Sequence, residues 1–150
     1  MEGLNRLQVY QAAQDLANTV YQNAVPQLPA EEKWGLGSQL RRAAASIPAN
    51  IAEGYGRFYY QETIRFCYLA RGSLMEVTSH IELAARQEYL SEEIALTIHT
   101  KAESVLKLIQ GYIKYLKQSK RGLREPGAQI SEITDDHLYT NQQPTDTGEK

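Results

Sequence analysis

The sequence predicts an all-α protein, an antiparallel up-down four-helix bundle with a polar C-terminal tail. Three observations carry this. Apolar residues recur three and four positions apart through four long runs, the spacing that gathers side chains on one face of an α-helix. Proline, glycine and serine punctuate the runs, and the short connections between them make consecutive helices antiparallel neighbours. No stretch sustains the period-two alternation of a half-buried strand.

The first helix is predicted from Leu7 to Ala24, where Val9, Tyr10, Ala13, Leu16, Ala17, Val20, Tyr21 and Ala24 keep the spacing. Pro26 and Pro29 close it. Glu31 and Glu32 then suit a helix amino end, whose unpaired N–H groups favour acids, so the second helix is expected to start near Glu31. Its core stripe is Leu36, Leu40, Ala43, Ile47 and Ile51. Pro48 falls inside that stripe and predicts a kink without a break, because the phase survives to Ile51. Gly54 and Gly56 are expected to end the helix through a left-handed cap.

The third helix is predicted from about Tyr60 to Gln87, with Ile64, Cys67, Ala70, Leu74, Val77, Ile81 and Ala84 on its core face. Leu69 and Leu83 lie off that face, which points to a second covered surface. The fourth helix opens on Ser91-Glu92-Glu93, an N-cap hydroxyl followed by two acids. Ile94, Ile98, Ala102, Val105, Ile109, Tyr112 and Leu116 continue it for about six turns.

With 150 residues and 42% of them hydrophobic, the chain can bury a core without disulfide or metal staples. One bundle domain is assigned to residues 1–121, and an acidic polar tail, predicted flexible, to 122–150. Of 16 Lys and Arg residues 14 lie up to Arg121, against 12 of 18 Asp and Glu, so the body is slightly basic and the tail acidic. Cys67 is the single cysteine, which rules out an intrachain disulfide and suits a small buried apolar residue. The N-terminal stretch has neither a signal peptide's apolar run nor a membrane anchor's length, so a cytoplasmic location is expected by default.

The search for chemistry yields no catalytic residue, no metal site and no cofactor. Di-iron bundles need repeated Glu-x-x-His pairs on facing helices. Here Glu76 and His80, and His99 and Glu103, are four apart and read as surface pairs, while His137 lies in the tail. Paired cysteines for zinc, a Gly-x-Ser-x-Gly nucleophile turn and a phosphate loop are all missing, and Gly54-Tyr55-Gly56 follows a helix instead of a strand. The chain therefore reads as a non-enzyme.

What stands out is a polar ridge beside the second helix's core stripe: Gln39, Arg42, Ser46, Asn50, Glu53 and Arg57. Ser and Asn are poor residues for an exposed helix middle, so they should hydrogen-bond to another helix, another subunit or a ligand. A second feature is the cluster Lys114, Lys117, Lys120, Arg121 and Arg124 at the last helix's end. With Arg57, Tyr59 and Tyr60, these are the candidate RNA-binding residues, cations for phosphate and rings for bases. The sequence pI of about 5.9 works against that reading in total but not in distribution.

The run Gln39-Leu40-Arg41-Arg42-Ala43, then Ser46-Ile47-Pro48-Ala49-Asn50-Ile51-Ala52-Glu53-Gly54 and Arg57, resembles the signature of a four helix bundle family. That family is the one related to the protein encoded in 23S ribosomal RNA intervening sequences. Leu7-x-Val9-Tyr10, Pro29-x-Glu31-x-x-Trp34-Gly35-Leu36, Arg65-Phe66, Ala70-Arg71-Gly72-Ser73 and Glu76 extend the resemblance over about residues 5 to 118. Leu28 and Trp34 depart from it, where Phe and Tyr are frequent. The resemblance implies a ring of five protomers, a homopentamer, and adds Arg71 and Glu76 to the ridge as interface candidates. It implies association with RNA or a ribonucleoprotein. Its fold is also similar to the accessory protein of diversity-generating retroelements, which implies an alternative: an adaptor that docks a reverse transcriptase.

Overall fold

The computed structural model describes residues 2–120, which form five α-helices. These are α1 (Glu2–Asn5), α2 (Gln8–Thr19), α3 (Leu36–Tyr55), α4 (Tyr60–Arg86) and α5 (Glu92–Ser119). The four long helices pack antiparallel in a square, α2 against α3 and α5, and α4 against α3 and α5. The α3–α4 pair is the most extensive contact. The core sits on the predicted stripes: Leu16, Leu40, Ile47, Ile51, Leu74, Ile81, Ile98 and Ile109 are almost wholly buried. Each such side chain contributes about 1.5–3 kcal/mol relative to exposure. All seven stripe residues of α4 are buried, whereas in α5 the buried set shifts to include Ala95 and Ile113 while Ile94 and Tyr112 are half-exposed. Burial pushes the Cys67 thiol up to about 12, which keeps it protonated and unreactive at neutral pH. The predicted tail, 122–150, lies outside the described residues.

Where helix boundaries differ from expectation, backbone chemistry gives the reason. The first predicted helix ends as an α-helix at Thr19, and Val20–Ala24 widens into a π turn before a 3-10 turn at Val25–Gln27. Pro26 has no N–H to return to the Gln22 carbonyl, so the regular ladder cannot continue. The widening still leaves Val20 and Ala24 in the core. Helix α3 begins at Leu36, not near Glu31: Ala30–Glu32 is a 3-10 turn, and the Glu32 carboxylate accepts the Leu36 N–H at 2.8 Å. Glu32 thus satisfies a helix amino end from outside the helix. Helix α3 runs unbroken through Pro48, which withholds only the bond due to the Ala44 carbonyl.

Gly54 and Gly56 do not form a left-handed cap. Gly56 ends the helix with right-handed dihedrals, and Gly54 lies buried within it. A Cβ on Gly54 would sit 2.8 Å from that of Phe66 and 3.1 Å from the Thr63 carbonyl oxygen, so this glycine lets α3 and α4 approach. Among the described residues left-handed caps occur instead at Lys120, with φ 45°, and at Glu88, with φ 60°. There the Tyr89 N–H donates to the Ala84 carbonyl at 2.9 Å and the Glu88 N–H to the Ala85 carbonyl at 3.0 Å, a Schellman motif. Glu88 is exposed. Its substitution by glycine should therefore stabilise the fold by about 0.5–1 kcal/mol, strain relief exceeding glycine's added chain entropy. Thermal unfolding followed by circular dichroism would show this as a higher midpoint.

The cap at Ser91 forms as expected, its Oγ accepting the Ile94 N–H at 3.2 Å. The helix α1 was not expected; its Leu4 is buried, and Arg6 pairs with Glu2 across the turn.

Candidate functional site

Two surfaces collect the candidate residues. The first is the α3–α4 face. Antiparallel packing brings the α3 ridge beside α4, where Arg42 pairs with Glu76 and also donates to Gln39 at 2.8 Å. One turn on, Ser46 and Ser73 hydroxyls meet at 2.9 Å, and the Asn50 amide donates to the Ser46 carbonyl and hydroxyl at 2.8 and 3.0 Å. Arg57 pairs with Glu53 at 2.8 Å and lies over the Phe66 ring at 5.0 Å. The polar residues therefore find partners on their own chain, within α3 and across to α4. Arg71 does not join them. It stands roughly 160° around α4 from Ser73, stacked on Tyr68 at 4.9 Å.

The same face carries residues a solvated helix pair does not need. Leu69 and Leu83 are each 48% exposed, only half covered by the described residues. Gly72 is exposed, and a Cβ there would meet nothing within 4 Å. A mid-helix glycine without packing cause costs about 1 kcal/mol against alanine. Together with Ser46 and Ser73 it keeps the face low enough for another backbone to approach closely.

The second surface is the end of the bundle. Antiparallel topology places α1, the α3–α4 loop and the last turns of α5 together. Lys114, Lys117 and Lys120, all exposed, therefore share this end with Arg57, Tyr59 and Tyr60. Tyr59 packs edge-on against Phe58 at 5.2 Å, and Lys120 caps α5 with a left-handed φ of 45°. Arg121 and Arg124 lie outside the described residues. The opposite end holds Glu31, Glu32, Glu82, Glu88, Glu92 and Glu93 against Lys33, Arg41 and Arg86. The bundle is thus cationic and aromatic at one end and acidic at the other.

Sequence reading missed two features. One is a parallel ring pair on α5, Tyr112 and Tyr115, with centroids 6.4 Å apart; the i, i+3 spacing of two tyrosines was its signal. The other is a groove of about 450 Å³ between α2 and α3, rimmed by Tyr10, Tyr21, Gln14 and Asn18 over a floor that includes Ala49 and Ala52. Its signal was the alanine-rich outer flank of α3, Ala45, Ala49 and Ala52. His80 reaches Glu76 at 3.4 Å, and among the described residues no three potential metal ligands converge. No described helix is long and apolar enough to cross a membrane.

Comparison with known proteins adds the lineage of this arrangement. No curated protein matches the chain. A crystal structure of a protein with unknown function from the S23 ribosomal protein family of Bacteroides thetaiotaomicron is similar to it, at 25% identity and a TM-score of 0.65. That match covers 71% of this chain and 98% of the other. The family described as 23S rRNA-intervening sequence protein matches residues 5–111, from before α2 into α5. The whole ridge lies inside that segment, while Tyr112, Tyr115 and the three lysines lie beyond it. On this match, which takes in more than half of its length, the chain belongs to the 23S rRNA-intervening sequence protein family.

Proposed function

We propose that the chain is a cytoplasmic, non-enzymatic scaffold that assembles as a homopentamer and holds RNA, or a ribonucleoprotein, at the lysine-rich end of its bundle. The observation that carries this reading is the gathering of Lys114, Lys117 and Lys120 with Arg57, Tyr59 and Tyr60 at one end, opposite an acidic one. Lysines neutralise phosphates without regard to sequence, and five copies would make a cationic rim. The family's description supports a ribosomal RNA context. Self-association is supported by the α3–α4 face, where Leu69 and Leu83 offer apolar area. Arg42 and Glu76 already pair there, so covering them leaves no lone charge.

Light scattering in line with size exclusion, run on the full-length chain with and without a structured RNA at two salt concentrations, tests both halves. A five-fold mass that shifts with RNA only at low salt is the expected result. A monomer indifferent to RNA would overturn the reading. The uncharged groove between α2 and α3 favours a second one, an adaptor that docks a protein such as a reverse transcriptase. A five-fold mass that ignores RNA at both salt concentrations would select it.

A further inference from the structure

We infer that Tyr112 and Tyr115 form a stacking platform for the unpaired bases of single-stranded RNA. This rests on the RNA reading above and narrows it to a class of RNA and a place on α5. The two rings lie within 12° of parallel, and Tyr115 is 62% exposed while Tyr112 packs on the core behind it. One ring is thus held by the protein and the other presents a face to solvent. Every base has a π face, so such a ring accepts any unpaired base.

Gly111 makes the second observation. Gly111 lies one turn before Tyr115 on the same flank of α5, next to Tyr112, on which the Tyr115 ring leans. There the helix is bare: Gly111 is exposed and a Cβ would meet nothing within 4 Å. No packing demand explains a residue that costs a helix about 1 kcal/mol against alanine. It leaves open the side from which a flat base would slide onto Tyr115. Lys114 adjoins Tyr115 along the helix and Lys120 lies just past the last turn, so the stack borders the lysine-rich end of the bundle, while Lys117 stands roughly 160° around α5 from Tyr115. In a duplex each base already stacks on its neighbours and cannot offer a free face. The platform therefore favours single strands.

The test is fluorescence anisotropy of the full-length protein with a labelled 12-nucleotide oligo(A) and, separately, a labelled RNA duplex of equal length. Wild type should prefer the single strand. Tyr115→Ala should weaken single-strand binding roughly 5- to 100-fold, leave the salt dependence unchanged and spare the duplex, whereas Tyr115→Phe should keep most of the affinity. Wild-type affinity in Tyr115→Ala, or an equal loss for both RNAs, would overturn the platform while the RNA reading stands. Wild type that binds neither RNA would overturn both. A fall in assembly mass on Tyr115→Ala without RNA would assign the ring to a subunit contact and also overturn the proposal.

Discussion

Replacing Lys114, Lys117 and Lys120 together by glutamine should weaken single-stranded RNA binding about 100-fold at roughly 0.1 M salt. Each lysine–phosphate contact on a single strand contributes about 0.7 to the slope of log affinity against log salt. Removing three lowers the slope by about 2, and over the decade down from 1 M that amounts to the loss stated. The fold should survive. All three residues are exposed, glutamine is nearly as good a helix former as lysine, and lost cation stabilisation of the α5 carboxy end is about 0.3–1 kcal/mol per charge. Anisotropy titrations at three salt concentrations measure both quantities. An unchanged slope would mean that phosphates are met elsewhere on the bundle.

The largest effect on stability is expected from Ile98→Ala, a loss of about 2–5 kcal/mol from removed apolar burial and the cavity left behind. Ile98 is wholly buried in the second turn of α5, which packs on both α2 and α4. Two residues earlier, Leu96 is 68% exposed, and Leu96→Ala should change stability by no more than about 0.5 kcal/mol. Because a domain's total stability is about 5–15 kcal/mol, the first variant should unfold at visibly lower urea and the second should overlay wild type. Similar losses for both would mean that Leu96 is covered in the assembled protein.

That contrast shows what periodicity can and cannot tell. Ile98 was legible because burial of one helix face repeats every three or four residues, and every residue of the stripes predicted for α3 and α4 is buried, although α3 also buries Ala44, Pro48 and its glycines Gly37 and Gly54. Helix ends were less legible, since they depend on particular hydrogen bonds. The Glu32 carboxylate caps α3 four residues before Leu36, and its acid sits outside the helix that it was expected to open. Gly54 looked like a cap because glycine suits one; its cause is Phe66 on another helix, which no local pattern contains. The α3 ridge was readable as a set of unusual residues on one flank, but its partners on α4, Ser73 and Glu76, followed only from antiparallel register. Arg71 shares a motif with Ser73 and stands on another flank, because sequence neighbours diverge by about 100° per residue.

The opposed charges at the two ends also decide how an approaching molecule meets the bundle. Helix α5 has 28 residues, about 42 Å of length at 1.5 Å per residue. At low ionic strength, where screening reaches about 30 Å, a polyanion feels both ends at once and is turned to arrive lysines first. At physiological salt screening closes to about 8 Å, and the ends become electrically independent. The bundle then behaves as a rod with two separate poles. Whatever occupies the lysine pole leaves the field at the glutamate pole unaltered, so a basic partner could dock there without competing for the same charge.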